Sequence, residues 1–246
     1  MDAHNIQDLL KISYTNGKLS PRNILDLSAG KTCHGAKHCR SMAVKTKSGT
    51  KVVDGGETLF RCFAASQEAQ YPAVYAKRQY NHFRLIKAID EGNCADLIDN
   101  SINKNLLLTR IHSSGDFFRS EYLEAWLEVA NRNPNNIFYC YSKALDLFMD
   151  RGLPNNFFLT ASYGGVWDHL IDEGYFKRYA KVVNNEAEAE ALGLPIDHDD
   201  SHCLKDGPFT LLVHGTQPKG SLAAQELALR RKQNKFAGYS KKSLST

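Results

Sequence analysis

The sequence predicts an α/β protein that forms a partial (β/α)6-type barrel, with a β-meander inserted near the N-terminus. Short apolar runs alternate with amphipathic helical segments along the chain, which is the pattern of parallel β/α units. About six such units follow one another, and these right-handed crossovers suit an open or partial barrel, although a doubly wound sheet has the same pattern. Every unusual polar cluster follows an apolar run, where parallel sheets bind their ligands.

The predicted strands are the apolar runs, each taken here with the loop that follows it. They span residues 23–29, 105–117, 136–144, 155–165, 178–183 and 208–221. Because the carboxyl ends of parallel strands lie at one edge of the sheet, we expect these loops to converge on a single mouth.

The predicted helices begin at recognisable signals. Pro72 stands at the first position of a helical apolar period over residues 71–92, and Ser120 is the predicted N-cap of a helix over residues 120–134. Two more helices are predicted over residues 166–174 and 222–233.

No linker, repeat or low-complexity tract divides the chain, so we expect a single domain over residues 1–246. Its barrel core spans residues 23–221. Ser-Gly and Asp-Gly-Gly turns predict the inserted β-meander over residues 43–62. Residues 234–246 form a basic tail.

Composition and charge restrict the class of protein. No stretch is apolar over the length of a membrane span, and the N-terminus lacks the layout of a signal peptide. We therefore expect a cytoplasmic protein with no membrane partner. The formal net charge of +4 is mild, but the basic segment "RRKQNKFAGYSKK" could contact phosphates, which makes nucleic acid a candidate partner.

The cysteines give the sharpest functional signal. The spacing Cys33-x5-Cys39-x22-Cys62 contains no C-x2-C knuckle of the kind that zinc ribbons use, whereas iron–sulfur clusters accept thiolates at varied spacings. Cys203 lies in a polar, Asp-rich segment and is the predicted fourth ligand. These observations predict one [4Fe–4S] cluster. Three ligands would leave one iron open to a small molecule, and four would make an electron carrier or a structural clamp.

Alternatives for these residues remain. His34 and His38 flank the first two cysteines and could ligate zinc, or hydrogen-bond to the sulfurs of a cluster. Any single cysteine is more often a free thiol. Cys94 and Cys140 lie inside apolar helix and strand patterns, so we expect them to be core thiols.

Polar residues at the other strand ends are candidates for catalysis and binding. His112 is a predicted acid or base, Asp116 is a predicted catalytic carboxylate or a cap of the following turn, and Lys143 is predicted to hold an anionic group at the mouth. The predicted cofactor-binding residues are Ser114, Gly115, Tyr163, His214 and Gln217.

Four segments together resemble a phage family, the gene product eighty-eight domain family, over nearly the whole chain. They are "GKTCHGAKHCRSMAV", "DGGETLFRCFAASQEAQYPAVYAKRQYN", "RIHSSGDFFRSEYLEAW" and "LLVHGTQPKGSLAAQ". The resemblance implies a phage-encoded protein that acts in the host cytoplasm. It does not imply an activity.

The order of elements is more distantly similar to radical S-adenosylmethionine enzymes, which carry three cluster cysteines after the first strand of a partial barrel. That similarity implies a radical-enzyme-like or oxidoreductase role with S-adenosylmethionine as a cofactor. The chain departs from the pattern, because the compact C-x3-C-x2-C is replaced by wider gaps and "SSGDF" stands in place of a "GGEP"-like loop. Ligation of the fourth iron by Cys203 would account for both departures.

Three hypotheses of different classes follow. The favoured one is an iron–sulfur protein that acts on an unknown small molecule or with an electron-transfer partner. The second is a zinc-stabilised module that binds nucleic acid through the basic tail and the face formed by the loops. The third is a metal-free structural protein.

Overall fold

The computed structural model describes residues 9–14, 19 and 21–233, which form a mixed α/β fold. The strands are β1 (Asn23–Leu25), β2 (Ser41–Thr46), β3 (Gly49–Asp54), β4 (Leu108–Ile111), β5 (Ile137–Ser142), β6 (Phe157–Ser162), β7 (Tyr179–Val183) and β8 (Phe209–Leu212). The helices are α1 (Phe63–Gln70), α2 (Pro72–Asp90), α3 (Cys94–Ser101), α4 (Ser120–Arg132), α5 (Asp168–Asp172), α6 (Glu186–Leu192) and α7 (Leu222–Lys232).

Six strands form one parallel sheet in the order β1-β4-β5-β6-β7-β8. Each strand of the sheet lies beside the one that precedes it in this order. Asn23 of β1 lies beside Thr109 of β4, and Thr109 in turn lies beside Phe138 of β5. The predicted α/β class and the predicted parallel strands are confirmed. Closure of this sheet into a partial barrel stays a prediction.

The main core lies between the sheet and α4. The amphipathic period of α4 buries Tyr122, Leu123 and Trp126 against strand residues that include Phe138. Apolar area removed from water stabilises such a core by about 25 cal/mol per Å². Cys140 of β5 is buried in the same cluster, as the apolar pattern predicted. The helices on this face pack against the sheet. Because the strands are parallel, their carboxyl ends lie at one edge of it.

The predicted meander is an antiparallel hairpin of β2 and β3, paired from Ser41 beside Asp54 to Thr46 beside Gly49. It ends earlier than residue 62, because Asp54 is its last strand residue. The hairpin packs on α1, a helix that the sequence pattern did not reveal. Cys62 immediately precedes that helix.

Two predicted boundaries change in the structure. Ser120 is the first residue of α4 rather than its N-cap, which is Arg119, and the Ser120 hydroxyl accepts a hydrogen bond from Arg151. The basic tail over residues 234–246 lies outside the described residues. Arg230, which begins the basic segment, is buried and donates to the carbonyl oxygens of Val213 and Asn184. A deletion that tests the tail should therefore begin at residue 234.

Within the described part of the chain, none of the helices combines the length and the hydropathy needed to span a lipid bilayer.

Candidate functional site

The carboxyl ends of the parallel strands surround a cavity of about 190 Å³. Cys33, Cys39 and Cys62 line one part of it. The carboxyl ends of β4, β5, β6 and β8, with the loops that follow β4, β5 and β8, supply much of the rest, as the predicted convergence of the strand ends requires. Their cavity-lining residues include His112, Ser114, Gly115, Asp116, Lys143, Ser162 and His214.

The three cavity thiols are half-buried and lie close enough to affect one another's ionisation. Burial raises the pKa of Cys33, and Asp116, Cys62 and Cys39 raise it further by charge repulsion. Burial and the neighbouring Cys39 raise the pKa of Cys62 to about 11. Thiols in this state are poor nucleophiles without a cation, and a bound metal would deprotonate them.

Cys62 occupies the N-cap position of α1. The backbone amides of Ala64 and Ala65 lower the pKa of Cys62 against the effect of burial. A helix N-terminus favours negative charge, so the position favours the thiolate form of Cys62 over the thiol.

No three His, Cys, Asp or Glu side chains of the described ranges already stand as the ligand set of a single metal ion. The three thiols instead line one cavity, and thiolates are the ligands that iron–sulfur clusters use. The donor chemistry and the shared cavity therefore fit a cluster, which is wider than one ion.

The loop that carries Cys33 and Cys39 rests on the loops after β5 and β6. The amides of Lys37 and His38 donate to the Gly164 carbonyl oxygen at 3.0 and 2.9 Å. At Gly35 a Cβ atom would stand 2.2 Å from the carbonyl oxygen of Lys143, so only glycine fits. The close approach fixes the cysteine loop over the sheet edge.

Gly35→Ala is therefore expected to lower the free energy of unfolding by about 1–3 kcal/mol, because a methyl group cannot enter the contact without moving backbone. Urea unfolding of the metal-free protein measures this change. Gly56→Ala is the matched control, since open space surrounds that position. Equal stability of the two variants would contradict the tight contact.

A buried ionic cluster of Arg78, Asp26 and Glu68 contacts the loop after β1, and the sequence patterns did not predict it. Arg78 of α2 donates to Asp26 at 3.3 Å, to Glu68 at 3.4 Å and to the Ala64 carbonyl oxygen at 3.0 Å. Glu68 in turn accepts from the Ala29 amide at 2.8 Å. The cluster ties the loop after β1 to α1 and α2.

Asp26 also joins the loops after β1 and β4. Its Oδ1 accepts from the amides of Ser113 and Ser114 at 2.8 and 3.0 Å and from the Ser113 hydroxyl at 2.6 Å. Burial alone would raise the pKa of Asp26, but Arg78 and the Ser113 bonds bring it below its usual value. A carboxylate directly after a buried strand was the signal that could have identified Asp26.

His112 lies in the cavity wall with a strained backbone, at φ +70°. Its Nε2 is 2.8 Å from the Tyr122 hydroxyl, and its buried Nδ1 has no hydrogen-bond partner among the described residues. Burial lowers the pKa of His112 to about 3, with Arg110 lowering and Asp26 raising it. The imidazole is neutral at physiological pH.

His112→Asn is expected to flatten the pH dependence of stability. Because the unfolded imidazole binds a proton below pH 6.5 and the folded one only near pH 3, His112 makes the free energy of unfolding fall as the pH drops through this window. The slope is about 1.4 kcal/mol per pH unit for one proton. Asn tolerates positive φ and cannot titrate, so urea titrations of the metal-free protein between pH 6 and 4 should show that slope removed. An unchanged slope would refute the assignment.

Asp116 is saturated with hydrogen bonds. It accepts from the Ser142 hydroxyl at 2.7 Å, from the Phe117 amide at 2.8 Å and from the Lys143 amide at 2.8 Å. Burial raises the pKa of Asp116, and these bonds oppose the rise. The carboxylate thus caps its own turn and joins the loops after β4 and β5, while its role in catalysis stays a prediction.

Lys143 lines the cavity, and its ammonium donates to the Ser162 hydroxyl at 2.5 Å. Tyr163, by contrast, does not line the cavity and donates to Asp172 at 2.5 Å on the exposed side. The loop after β8 carries His214, whose ring centroid lies 4.7 Å from that of Phe63.

Ser114, Gly115 and Gln217 connect loops around the cavity. The Ser114 hydroxyl donates to the Leu27 carbonyl oxygen at 2.8 Å, and Gly115 packs against Leu27. Gln217 accepts from the Arg61 amide at 2.7 Å and donates to the Arg61 carbonyl oxygen at 3.1 Å. Gln217 therefore fixes the residue next to Cys62 to the loop after β8.

Cys203 lies apart from the other three cysteines and is not among the residues that line the cavity. It is 1% exposed, and its thiol donates to the Asp200 carbonyl oxygen at 2.7 Å. The surrounding short helix, Ser201–Leu204, packs against β5 and β6. Asp200 itself is buried and pairs with Arg110 at 2.5 Å. The polar sequence around Cys203 is thus part of a buried ionic contact.

These features define a class: an α/β protein with a parallel sheet and a cysteine-lined site at the carboxyl ends of its strands. Residues 3–235 match the gene product 88 family, and the chain belongs to that family. No curated protein and no solved structure matches the chain. The similarity to radical S-adenosylmethionine enzymes stays a prediction.

Proposed function

We propose that this chain is an iron–sulfur protein in which Cys33, Cys39 and Cys62 hold one [4Fe–4S] cluster at the mouth of a partial barrel. The observation that carries the proposal is the gathering of three thiols around one cavity, close enough to affect one another's ionisation. Iron–sulfur clusters are held by such thiolates.

The surrounding residues support this arrangement. The α1 amides stabilise the Cys62 thiolate, and the Gly35 contact fixes the loop that carries the other two ligands. Lys143 contributes a positive charge to the cavity that the three cysteines line. The six strands are parallel and stand in the sheet in the order in which they follow one another along the chain. This order supports the partial barrel, because such a sheet can curve around the cavity at its carboxyl edge.

The position of Cys203 favours three protein ligands over four. Ligation by Cys203 would require the segment Ser201–Leu204 to leave its place against β5 and β6 and to break the thiol's bond to Asp200. We therefore propose that Cys33, Cys39 and Cys62 would hold the cluster alone, which would leave one iron free to bind a small molecule in the cavity that Lys143 and His214 also line. A cluster of this kind supplies one-electron transfer and an open iron for a small molecule, and S-adenosylmethionine is a candidate for that position.

The chain's own residues would bind and orient that molecule. The Lys143 ammonium offers positive charge to an anionic group, and the Ser162 hydroxyl beside it is a further donor. His112 stays neutral, so its unpartnered Nδ1 can accept or donate one hydrogen bond. We propose a redox or radical-enzyme-like role on this basis. We further propose a cytoplasmic location, since all six cysteines are free thiols and reducing compartments preserve them.

Anaerobic purification tests the proposal. The expected result is a brown protein with about four irons and four sulfides per chain, because a cubane cluster has that composition. Reduction with dithionite should bleach the absorption and produce a paramagnetic signal. A colourless protein that holds one zinc ion would refute it.

A further inference from the structure

The segment that carries the cysteines also carries the positive charge of the protein. Residues 31–61 contain seven Lys and Arg and two Asp and Glu, a net charge of +5. The whole chain has a net charge of +4, so the remaining residues together carry −1. The charge is therefore concentrated around the cluster ligands.

Both acidic residues of this segment are already paired. Asp54 forms an ion pair with Arg61 at 2.5 Å, and Glu57 forms one with Lys37 at 2.8 Å. The exposed cations of the same segment have no carboxylate partner within the described part of the chain. They are Lys31, Arg40, Lys45, Lys47 and Lys51. Of these, Lys31 donates to the Gln79 side chain and Lys45 lies over the Tyr75 ring.

The β2–β3 hairpin presents an apolar patch among these cations. Val44 stands opposite Lys51 and Met42 opposite Val53, so these four side chains share one face of the two-stranded sheet. Val44 is 38% exposed and Val53 is 49% exposed. The residues of the opposite face pack on α1, as the contact of Val52 with the α1 alanines shows. An apolar centre with a charged rim is the usual anatomy of a protein–protein interface.

We propose that the outward face of the β2–β3 hairpin is the docking surface for a small acidic electron-carrier protein that reduces the cluster. The inference rests on the proposed iron–sulfur function. The hairpin is continuous with the site, because β2 begins two residues after Cys39 and the Cys62 amide donates to the Ser41 hydroxyl at 3.4 Å. On docking, one electron passes from the reduced carrier to the cluster. The carrier is thereby oxidised by one electron and the cluster is reduced by one electron, and no bond is made or broken.

Other occupants fit the face less well. A second copy of the chain would bring its own +5 segment against this one, and like charges in an interface are repulsive. Nucleic acid would use the lysines but not the valines, and the hairpin has no aromatic residue on which a base could stack. Exposed valines framed by lysines suit an acidic protein surface with an apolar centre.

The test compares two charge-reversal variants of the cluster-loaded, full-length protein. Lys47→Glu with Lys51→Glu alters the hairpin. Lys177→Glu with Lys205→Glu is the matched control, since both residues are exposed and precede β7 and β8, at the opposite end of the sheet from the cavity. Stopped-flow spectroscopy follows bleaching of the cluster by a reduced acidic flavodoxin, at low and at high salt.

The hairpin variant is expected to be reduced about tenfold or more slowly at low salt, with the difference shrinking at high salt, because steering depends on complementary charge. The control variant should keep the wild-type rate, and dithionite should reduce all three proteins alike. Equal rates for the hairpin and control variants would overturn the proposal. So would loss of RNA or DNA binding in the hairpin variant with an unchanged reduction rate. A protein without iron would instead refute the iron–sulfur function, and iron analysis before the kinetics distinguishes the two failures.

Discussion

Replacing Cys39 with alanine is expected to reduce the iron content of the anaerobically prepared protein from about four per chain to background, because two thiolates do not retain a cubane cluster. Only Cys33, on the loop after β1, and Cys62, directly before α1, would remain as thiolate ligands in the cavity. Iron and sulfide analysis, together with the visible spectrum, measures the loss.

Cys203→Ala and Cys94→Ala are the controls for this experiment. Both thiols are buried outside the cavity, so both variants should keep the full iron content, with only a modest loss of stability from the missing sulfur. Loss of the cluster from the Cys203 variant would establish closed, four-cysteine ligation in place of an open iron. Retention of four irons by the Cys39 variant would refute the proposed ligand set.

Arg78→Met is expected to lower the free energy of unfolding by about 3–5 kcal/mol, since removal of one partner leaves buried charge uncompensated. Arg78 lies between Asp26 and Glu68, and it also bonds the Ala64 carbonyl oxygen. Burial already raises the pKa of Glu68, so the loss of Arg78 leaves Asp26 as the main uncompensated charge. Urea unfolding near neutral pH, with the metal-free protein, measures the change.

Lys87→Met is the matched control on the same helix. Its ammonium is exposed and, among the described residues, forms an ion pair with Glu91 alone, at 3.5 Å, so the expected effect is within about 0.5 kcal/mol. Similar stability of the two variants would mean that the ionic cluster does not anchor α2 to the loop after β1.

The strands and most helices could be predicted because their signals are local. Apolar runs marked β4 to β8, and Pro72 marked the first residue of α2 as the structure has it. The convergence of strand ends follows from parallel topology alone, and so the sequence could assign most of the cavity wall. In α1, only Ala64, Ala65 and Glu68 are buried, and such a weakly apolar segment carries no clear helical period.

The remaining differences between the sequence predictions and the structure concern side-chain partners that the local sequence does not reveal. The Asp-rich context of Cys203 reads locally as an exposed loop, yet Asp197 and Asp200 are each 2% exposed. Asp200 is buried because Arg110, ninety residues earlier, neutralises it. Tyr163 follows a strand as a site residue would, but its hydroxyl turns outward to Asp172. Local composition cannot show such partners.

The two ends of the β2–β3 hairpin meet, and this has an evolutionary consequence. The Gly55 amide donates to the Arg40 carbonyl oxygen at 2.7 Å, just outside the paired residues Ser41 and Asp54. A segment whose ends touch can be lengthened, shortened or replaced without displacing the sheet that it leaves and rejoins. Natural variation in this hairpin would therefore change the proposed docking surface, while the cysteines and the cavity stay the same.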